Sequence, residues 1–153
     1  YNFDVKFLFP VKSEQNDIQW VALLKDIEKN KIIGYYNGSA MLDKNDRLFN
    51  QLSVIELEQS YQGKRLCTPF ATKTYGSLIN EVGVEYLLIK VAADNKKYAC
   101  QCYIKAALSN GLRCFIGKME INGIDDINKC SIYDEYPNLP LIVTKNIDIN
   151  DIY

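Results

Sequence analysis

The chain of 153 residues contains no histidine. That absence removes the serine and cysteine triads that depend on imidazole, the usual catalytic zinc sites and the commonest general base near neutral pH. Any acid–base chemistry falls to Glu, Asp, Tyr, Lys, Cys or bound water. Long apolar runs are missing too. None approaches the ~20 residues that cross a bilayer, and the chain does not open with the charged, apolar and small-residue order of a signal peptide. The expectation is a domain with no membrane association, cytoplasmic or otherwise intracellular. Charge of one sign is lacking as well: 18 Lys and Arg against 19 Asp and Glu leave a net charge of −1. Nothing global therefore draws the chain to nucleic acid, and no basic, aromatic-interleaved surface stands out. The five cysteines, at 67, 100, 102, 114 and 130, form no Cys-x-x-Cys pair. Neither a disulfide framework nor a metal site is signalled, so reduced, mostly buried thiols are expected. On a helix, Cys100 and Cys102 diverge by roughly 200° of arc, which keeps them from a shared ligand.

What is present is enough for one core. With 48% hydrophobic and 24% charged residues, residues 1–153 are expected to form a single domain. Phe3, Val5, Phe7 and Phe9 alternate with polar neighbours, so a strand is expected from Tyr1 to Phe9, stopped by Pro10. After a polar break at Lys12 to Asp17, strands are expected at Ile18 to Ile27, Lys31 to Met41 and Leu48 to Glu58, the first two as an antiparallel meander. Leu66, Phe70, Ala71, Tyr75, Leu78, Ile79 and Val82 then recur at helical steps. Thr68 suits the N-cap of that helix, Pro69 its first turn and Gly83 its stop. Glu85 to Ala92 is a nearly continuous apolar run, as in a strand covered on both faces, and completes a parallel crossover unit. A second helix is expected from Lys96 to Leu108, capped by Asp94 or Asn95 and ended by Asn110-Gly111. Strand is expected at Leu112 to Ile121, irregular chain to Pro140 and strand again at Leu141 to Lys145.

Between the fourth strand and the first helix lies Tyr61-Gln62-Gly63-Lys64-Arg65-Leu66-Cys67-Thr68-Pro69. A turn of this kind collects unpaired N–H groups and the positive helix end at one point, as a phosphate or pyrophosphate requires, and Lys64 and Arg65 add two charges. The bland alternative, a capped helix after an ordinary loop, is equally compatible with these residues. A P-loop is excluded, because Gly63-Lys64 is followed by Arg65 rather than Ser or Thr.

The stretch resembles the signature turn of the GCN5-related N-acetyltransferase superfamily, Gln/Arg-x-x-Gly-x-Gly/Ala between a strand and a helix. Leu87 to Val91, Asn95, Tyr103 and Lys105 to Leu108 resemble its second motif region. Arg65 and Cys67 stand where that signature has small residues, and the interval from Asn95 to Tyr103 is one residue longer than usual. The resemblance implies an α/β fold: a mixed, mostly antiparallel sheet with a splayed parallel strand pair and helices on its faces, here without the N-terminal helical pair. It also implies acetyl-CoA as co-substrate and transfer of its acetyl group to a primary amine on a small molecule or peptide. In that scheme Gln62, Gly63, Lys64, Arg65, Leu66, Cys67 and Thr68 hold the pyrophosphate, a backbone N–H near Leu57 meets the thioester carbonyl, and Asn95 contacts the cofactor. Tyr103 stands in the position of the general acid, and Glu56 or Glu58 are the nearest carboxylates for the base, with a water chain as substitute. Tyr103 as a core tyrosine and the two glutamates as a solvated strand face are the structural alternatives. A degenerate member that binds an acyl-CoA or a protein without turnover is the alternative function, and a homo-oligomer stays open.

Overall fold

The computed structural model describes residues 2–12, 17–92 and 94–153. Strands β1 (Phe3–Lys12), β2 (Ile18–Asp26), β3 (Lys31–Leu42) and β4 (Leu48–Leu57) form an antiparallel meander. The crossover helix α1 (Cys67–Ser77) then leads to β5 (Tyr86–Lys90), which pairs parallel to β4. Helix α2 (Lys96–Ser109) precedes β6 (Arg113–Ile116), β7 (Met119–Ile121) and β8 (Pro140–Thr144), and the sheet order is β1-β2-β3-β4-β5-β8-β6-β7. The expected mixed, mostly antiparallel sheet is therefore present. Its parallel contact is confined to Phe49↔Tyr86 and Asn50↔Leu87; beyond these residues β4 and β5 separate.

Several local expectations are corrected. Pro10 does not end β1: the strand continues to Lys12 through a register shift between Leu8 and Val11. β1 is an edge strand, where a missing N–H need not break a ladder. Tyr1 and residues 13–16, the greater part of the polar break, lie outside the described residues. Only residues 13–17 separate β1 from β2, too short an interval for a helical pair. The strand expected from Leu112 to Ile121 is a hairpin, turned at Gly117-Lys118 with Gly117 at φ 60°, which suits a two-residue loop of primed type. The chain expected to be irregular after Asn122 contains a 3₁₀ segment, Ile124–Asp134. Thr68 is not the cap of α1. The helix begins two residues earlier than that cap implies, with Leu66 at its N-cap position and no side-chain cap.

Helix α1 covers the inner face of the meander. Trp20, Ala22, Leu24 and Tyr36 on the strands and Phe70, Ala71, Tyr75 and Leu78 on the helix are buried in one cluster. Tyr36 meets Trp20, Phe70 and Tyr75 at ring-centroid distances of 5.6, 6.1 and 6.1 Å, and its hydroxyl lies 3.1 Å from that of Tyr75. Full burial of each such side chain stabilises by about 1.5–3 kcal/mol. After Ser77 the helix widens into one π turn, Leu78–Val82, closed by Gly83 at φ 89°, a left-handed position that glycine occupies without Cβ strain.

The expectation of reduced cysteines is overturned. Cys67 on α1 is bonded to Cys102 on α2, and Cys100 on α2 to Cys130 in the 3₁₀ segment, leaving Cys114 as a buried thiol. The divergence of Cys100 and Cys102 around α2 is what sends them to different partners. Sequence separations of 35 and 30 residues mean that each bond constrains the unfolded chain by about 3.5–4 kcal/mol on a loop-entropy basis. Together they staple α2 to elements on either side.

Candidate functional site

The gap where β4 leaves β5 opens into a cavity of about 470 Å³, walled by the end of β4, the turn into α1 and the first turns of α2. Glu56, Leu57, Gln62, Gly63, Arg65, Leu66, Cys67, Asn95 and Tyr103 line it, and so do Ile55, Tyr98 and Ala99. A larger hollow of about 630 Å³ between β1 and α1 takes in only Leu66 of the expected site residues.

The turn is built to leave donors free. Gly63 and Arg65 both have left-handed backbone, at φ 75° and φ 60°, which brings the chain sharply round into α1. Such a conformation costs about 1 kcal/mol or more at a residue with a Cβ. Arg65 thus keeps a backbone geometry natural to glycine, and the residue lines the cavity. The first helical hydrogen bond runs from the Phe70 amide to the Leu66 carbonyl, 3.1 Å. Upstream of it, the N–H groups of residues 63–68 meet no acceptor among the described residues. They gather at the N-terminus of an 11-residue helix, where the dipole favours an anion.

Backbone direction at Leu57 follows from its neighbour. The Glu58 amide donates to Ile33 across β3 at 2.8 Å, so the Leu57 N–H and carbonyl face the opposite way, into the gap. The Leu57 carbonyl there accepts the Gln62 side-chain amide at 3.0 Å, which ties the turn to the strand end.

Tyr103 is 7% exposed on α2 and borders the cavity. Burial raises the pKa of its hydroxyl above the ordinary phenol value, so at neutral pH it carries a proton to donate. Asn95 caps α2 by accepting from the Tyr98 amide at 3.0 Å, and it lines the cavity. Glu56 takes the hydroxyl hydrogen bond of Tyr35, its cross-strand partner.

Three of the expected residues are elsewhere. Glu58 sits outside the cavity and is paired with Lys31 at 2.8 Å; the Lys31 hydrogen bond lowers its pKa. Lys64 lies on the back of the turn, its Nζ 5.4 Å from the Tyr61 ring centroid. Thr68 faces a separate shallow hollow with Lys105 and Leu108. Sequence reasoning missed Tyr35, whose role depends on register, and Tyr98, whose position one turn before Cys102 was the available signal. Among the described residues, no three His, Cys, Asp or Glu side chains gather as a metal site.

A meander, a crossover helix behind a splayed parallel pair and a further helix on the same face define the fold of the GCN5-related N-acetyltransferases. Two solved chimeras of the spermidine N-acetyltransferase SpeG from Vibrio cholerae and hSSAT are similar to the chain. One is 12% identical, with a TM-score of 0.51, covering 82% of this chain and 66% of the other. The second is 10% identical, also with a TM-score of 0.51, covering 82% and 65%. A ribosomal-protein-S5-alanine acetyltransferase from Vibrio fischeri is 14% identical, covering 83% and 61%, with a TM-score of 0.47. The chain thus spans slightly less than two thirds of the length of these proteins. No family model matches it, and no curated protein matches it by sequence.

Proposed function

We propose that the chain is an acyl-CoA-dependent N-acyltransferase that moves an acetyl group from acetyl-CoA to a primary amine. One observation carries the reading: the free amides of the turn, the inward Leu57 N–H and the protonated Tyr103 border a single cavity at the strand splay. The residues suit a coenzyme A ester in charge and polarity, since a helix N-terminus and Arg65 offer donors to a pyrophosphate and the lining between them is largely apolar.

In this reading the amides of residues 63–68 and Arg65 hold the pyrophosphate, and Asn95 offers its NH₂ farther along. The thioester supplies an activated acyl carbon. The Leu57 N–H points where negative charge develops on the thioester oxygen as the amine attacks; one such donor is worth about 2.7–4 kcal/mol. Glu56, held by Tyr35, is the carboxylate at the cavity able to take a proton from the acceptor ammonium, directly or through water. Glu58 is engaged by Lys31 and is the weaker candidate. Tyr103 gives its proton to the departing thiolate. The amine gains the acetyl group and sheds its second proton, which restores the Tyr103 hydroxyl, and free coenzyme A leaves as the thiol.

A second reading, binding without turnover, draws on Arg65 and Cys67, which stand in place of small residues at the turn. Titration with acetyl-CoA followed by a free-thiol assay over a panel of amines separates the two. Saturable binding with thiol release establishes the enzyme, and binding with no release on any amine establishes the binding module. No binding at millimolar acetyl-CoA removes both acyl-CoA readings and leaves the fold.

A further inference from the structure

We propose that Cys67 and Cys102 are positioning residues for this cavity: their disulfide holds the turn against α2, and a dithiol that opens it weakens binding of acetyl-CoA. The inference rests on the acyl-CoA reading above for its ligand, though not for its mechanical consequence.

Between Gly63 and Cys67 the turn has few polar ties of its own. No side chain caps α1, the amides that would receive a cap are free, and Arg65 sits in a left-handed conformation. Its ties are the buried Tyr61, whose hydroxyl donates to Asp26 at 2.6 Å, and the Gln62 bond to Leu57 on one side, and the buried Leu66 side chain with the first helical hydrogen bond, Phe70 to Leu66, on the other. Between them, Cys67 opens α1 and is bonded to Cys102, the residue before Tyr103. One covalent link thus joins the two walls of the cavity at the level where the free amides gather. It does what a capping side chain does elsewhere, while leaving every N–H available to a ligand.

The two disulfides differ in access. Cys67 is half-buried and is the one disulfide-bonded cysteine that borders the cavity. Cys100 and Cys130 are fully buried, and neither borders the cavity. Their bond fixes α2 to the 3₁₀ segment independently. Opening the first bond therefore releases the turn while α2, and Tyr103 with it, stays anchored, which places the effect on acetyl-CoA affinity more than on turnover. In the reaction one thiolate of the dithiol attacks Cys67 Sγ and Cys102 leaves as thiolate. The second thiol then displaces Cys67, closing the reagent to its cyclic disulfide. The reagent loses two electrons and two protons, and the two cysteines gain them as thiols.

The similar loop lengths make Cys100–Cys130 a matched control for general stability. Acetyl-CoA, whose own thiol is blocked, is the probe in calorimetric titration of the full chain with and without dithiothreitol. Expected results are one free thiol in the untreated protein, about tenfold weaker binding after reduction, and a KM that rises more than kcat falls. Cys67→Ser with Cys102→Ser should reproduce the loss and no longer respond to dithiol; Cys100→Ser with Cys130→Ser should keep both the affinity and the response. Five free thiols in untreated protein, equal affinity in both states, or a loss that follows the Cys100–Cys130 pair would overturn the proposal. Amide hydrogen exchange at residues 63–68 supplies the arm that does not need a ligand. If neither state binds acetyl-CoA, the acyl-CoA reading fails. Faster exchange on reduction then sustains the positioning role, and unchanged exchange removes it.

Discussion

Strands β4 and β5 are closed at one end and open at the other, and the two ends are built from different chemistry. At the closed end Phe49 and Tyr86 stack at 5.0 Å, the Glu85 amide donates to Leu48 at 2.8 Å, and Trp20 donates its indole N–H to buried Asn50 at 2.8 Å. The Tyr86 hydroxyl reaches Asp43 at 2.6 Å. Every contact there removes surface from water or satisfies a buried group. At the open end the strand edge meets a side-chain amide, free N–H groups and a buried phenol instead of a partner strand. The sheet is held shut at one end by packing and buried hydrogen bonds, which is what lets it stay parted at the other, where polar backbone borders the cavity.

Tyr103→Phe is the sharpest way to break the open end without touching the closed one. The ring and most of its buried area remain, while the hydroxyl is lost. Turnover should fall by about 10²–10⁴-fold, the usual contribution of a general acid, with acetyl-CoA affinity changed only a few-fold and the melting temperature nearly constant. The deficit should shrink with a thioester of a more acidic thiol. Full activity in the variant would mean that water protonates the thiolate and Tyr103 is a core residue.

Asn50→Ala tests the closed end. The indole N–H of Trp20 is left buried without its acceptor, and a small void forms, so stability should drop by about 2–4 kcal/mol in urea unfolding. Trp20→Phe removes the donor instead, and the double variant should be less destabilised than the sum of the two singles, since the stranded group is then absent. Additive losses would show that this hydrogen bond does not couple the two strands.

Tyr86→Phe removes a bond to a carboxylate at the same end, at a cost of about 1.5–3 kcal/mol at neutral pH. Burial pushes the Asp43 carboxyl up, but the Tyr86 hydroxyl and the amides of Arg47 and Asn45 outweigh it and hold the pKa below its ordinary value. That contribution is present above pH 3.8 and is lost as pH falls through the lower folded value. The wild type should therefore lose more stability than the variant on acidification below about pH 4. Parallel curves for the two proteins would rule out Tyr86 as the source of the Asp43 shift.

These ends were unequally legible in the sequence. The period-2 alternation of Phe3, Val5 and Phe7 and the helical spacing of Leu66, Phe70 and Tyr75 gave the elements and their order, because burial on one face leaves that imprint. The gap between the parallel strands and the place of Tyr103 were implied by the resemblance of the turn and of the second motif region to a known family, not by spacing or periodicity. Disulfide connectivity did not follow, because which cysteine meets which depends on how α1 crosses α2 and not on spacing. The Tyr35–Glu56 pair required the β3–β4 register, and Thr68 was displaced from the cap because the left-handed Arg65 starts the helix early. Lys64 and Arg65 are adjacent in sequence, yet one lies against Tyr61 and the other at the cavity; only the backbone turn between them decides that.

That last division gives the smallest effect and a direct check on the turn. Arg65→Ala should weaken acetyl-CoA binding about five- to tenfold and reduce its dependence on salt, because an exposed charge beside a pyrophosphate acts through a screened field. Lys64→Ala, made separately, should leave affinity within about twofold, since that ammonium is engaged by the Tyr61 ring on the far side, at a cost of about 0.5–1 kcal/mol in stability. Arg65→Gly separates charge from conformation. It removes the guanidinium but restores a residue for which φ 60° is unstrained, so its affinity should match that of Arg65→Ala while its stability exceeds it. If Arg65→Gly binds as tightly as wild type, the backbone amides alone hold the anion and the arginine only occupies the rim. If instead Lys64→Ala is the weaker binder of the two single alanine variants, the turn presents its other face to the ligand, and the direction of the whole open end has to be reversed.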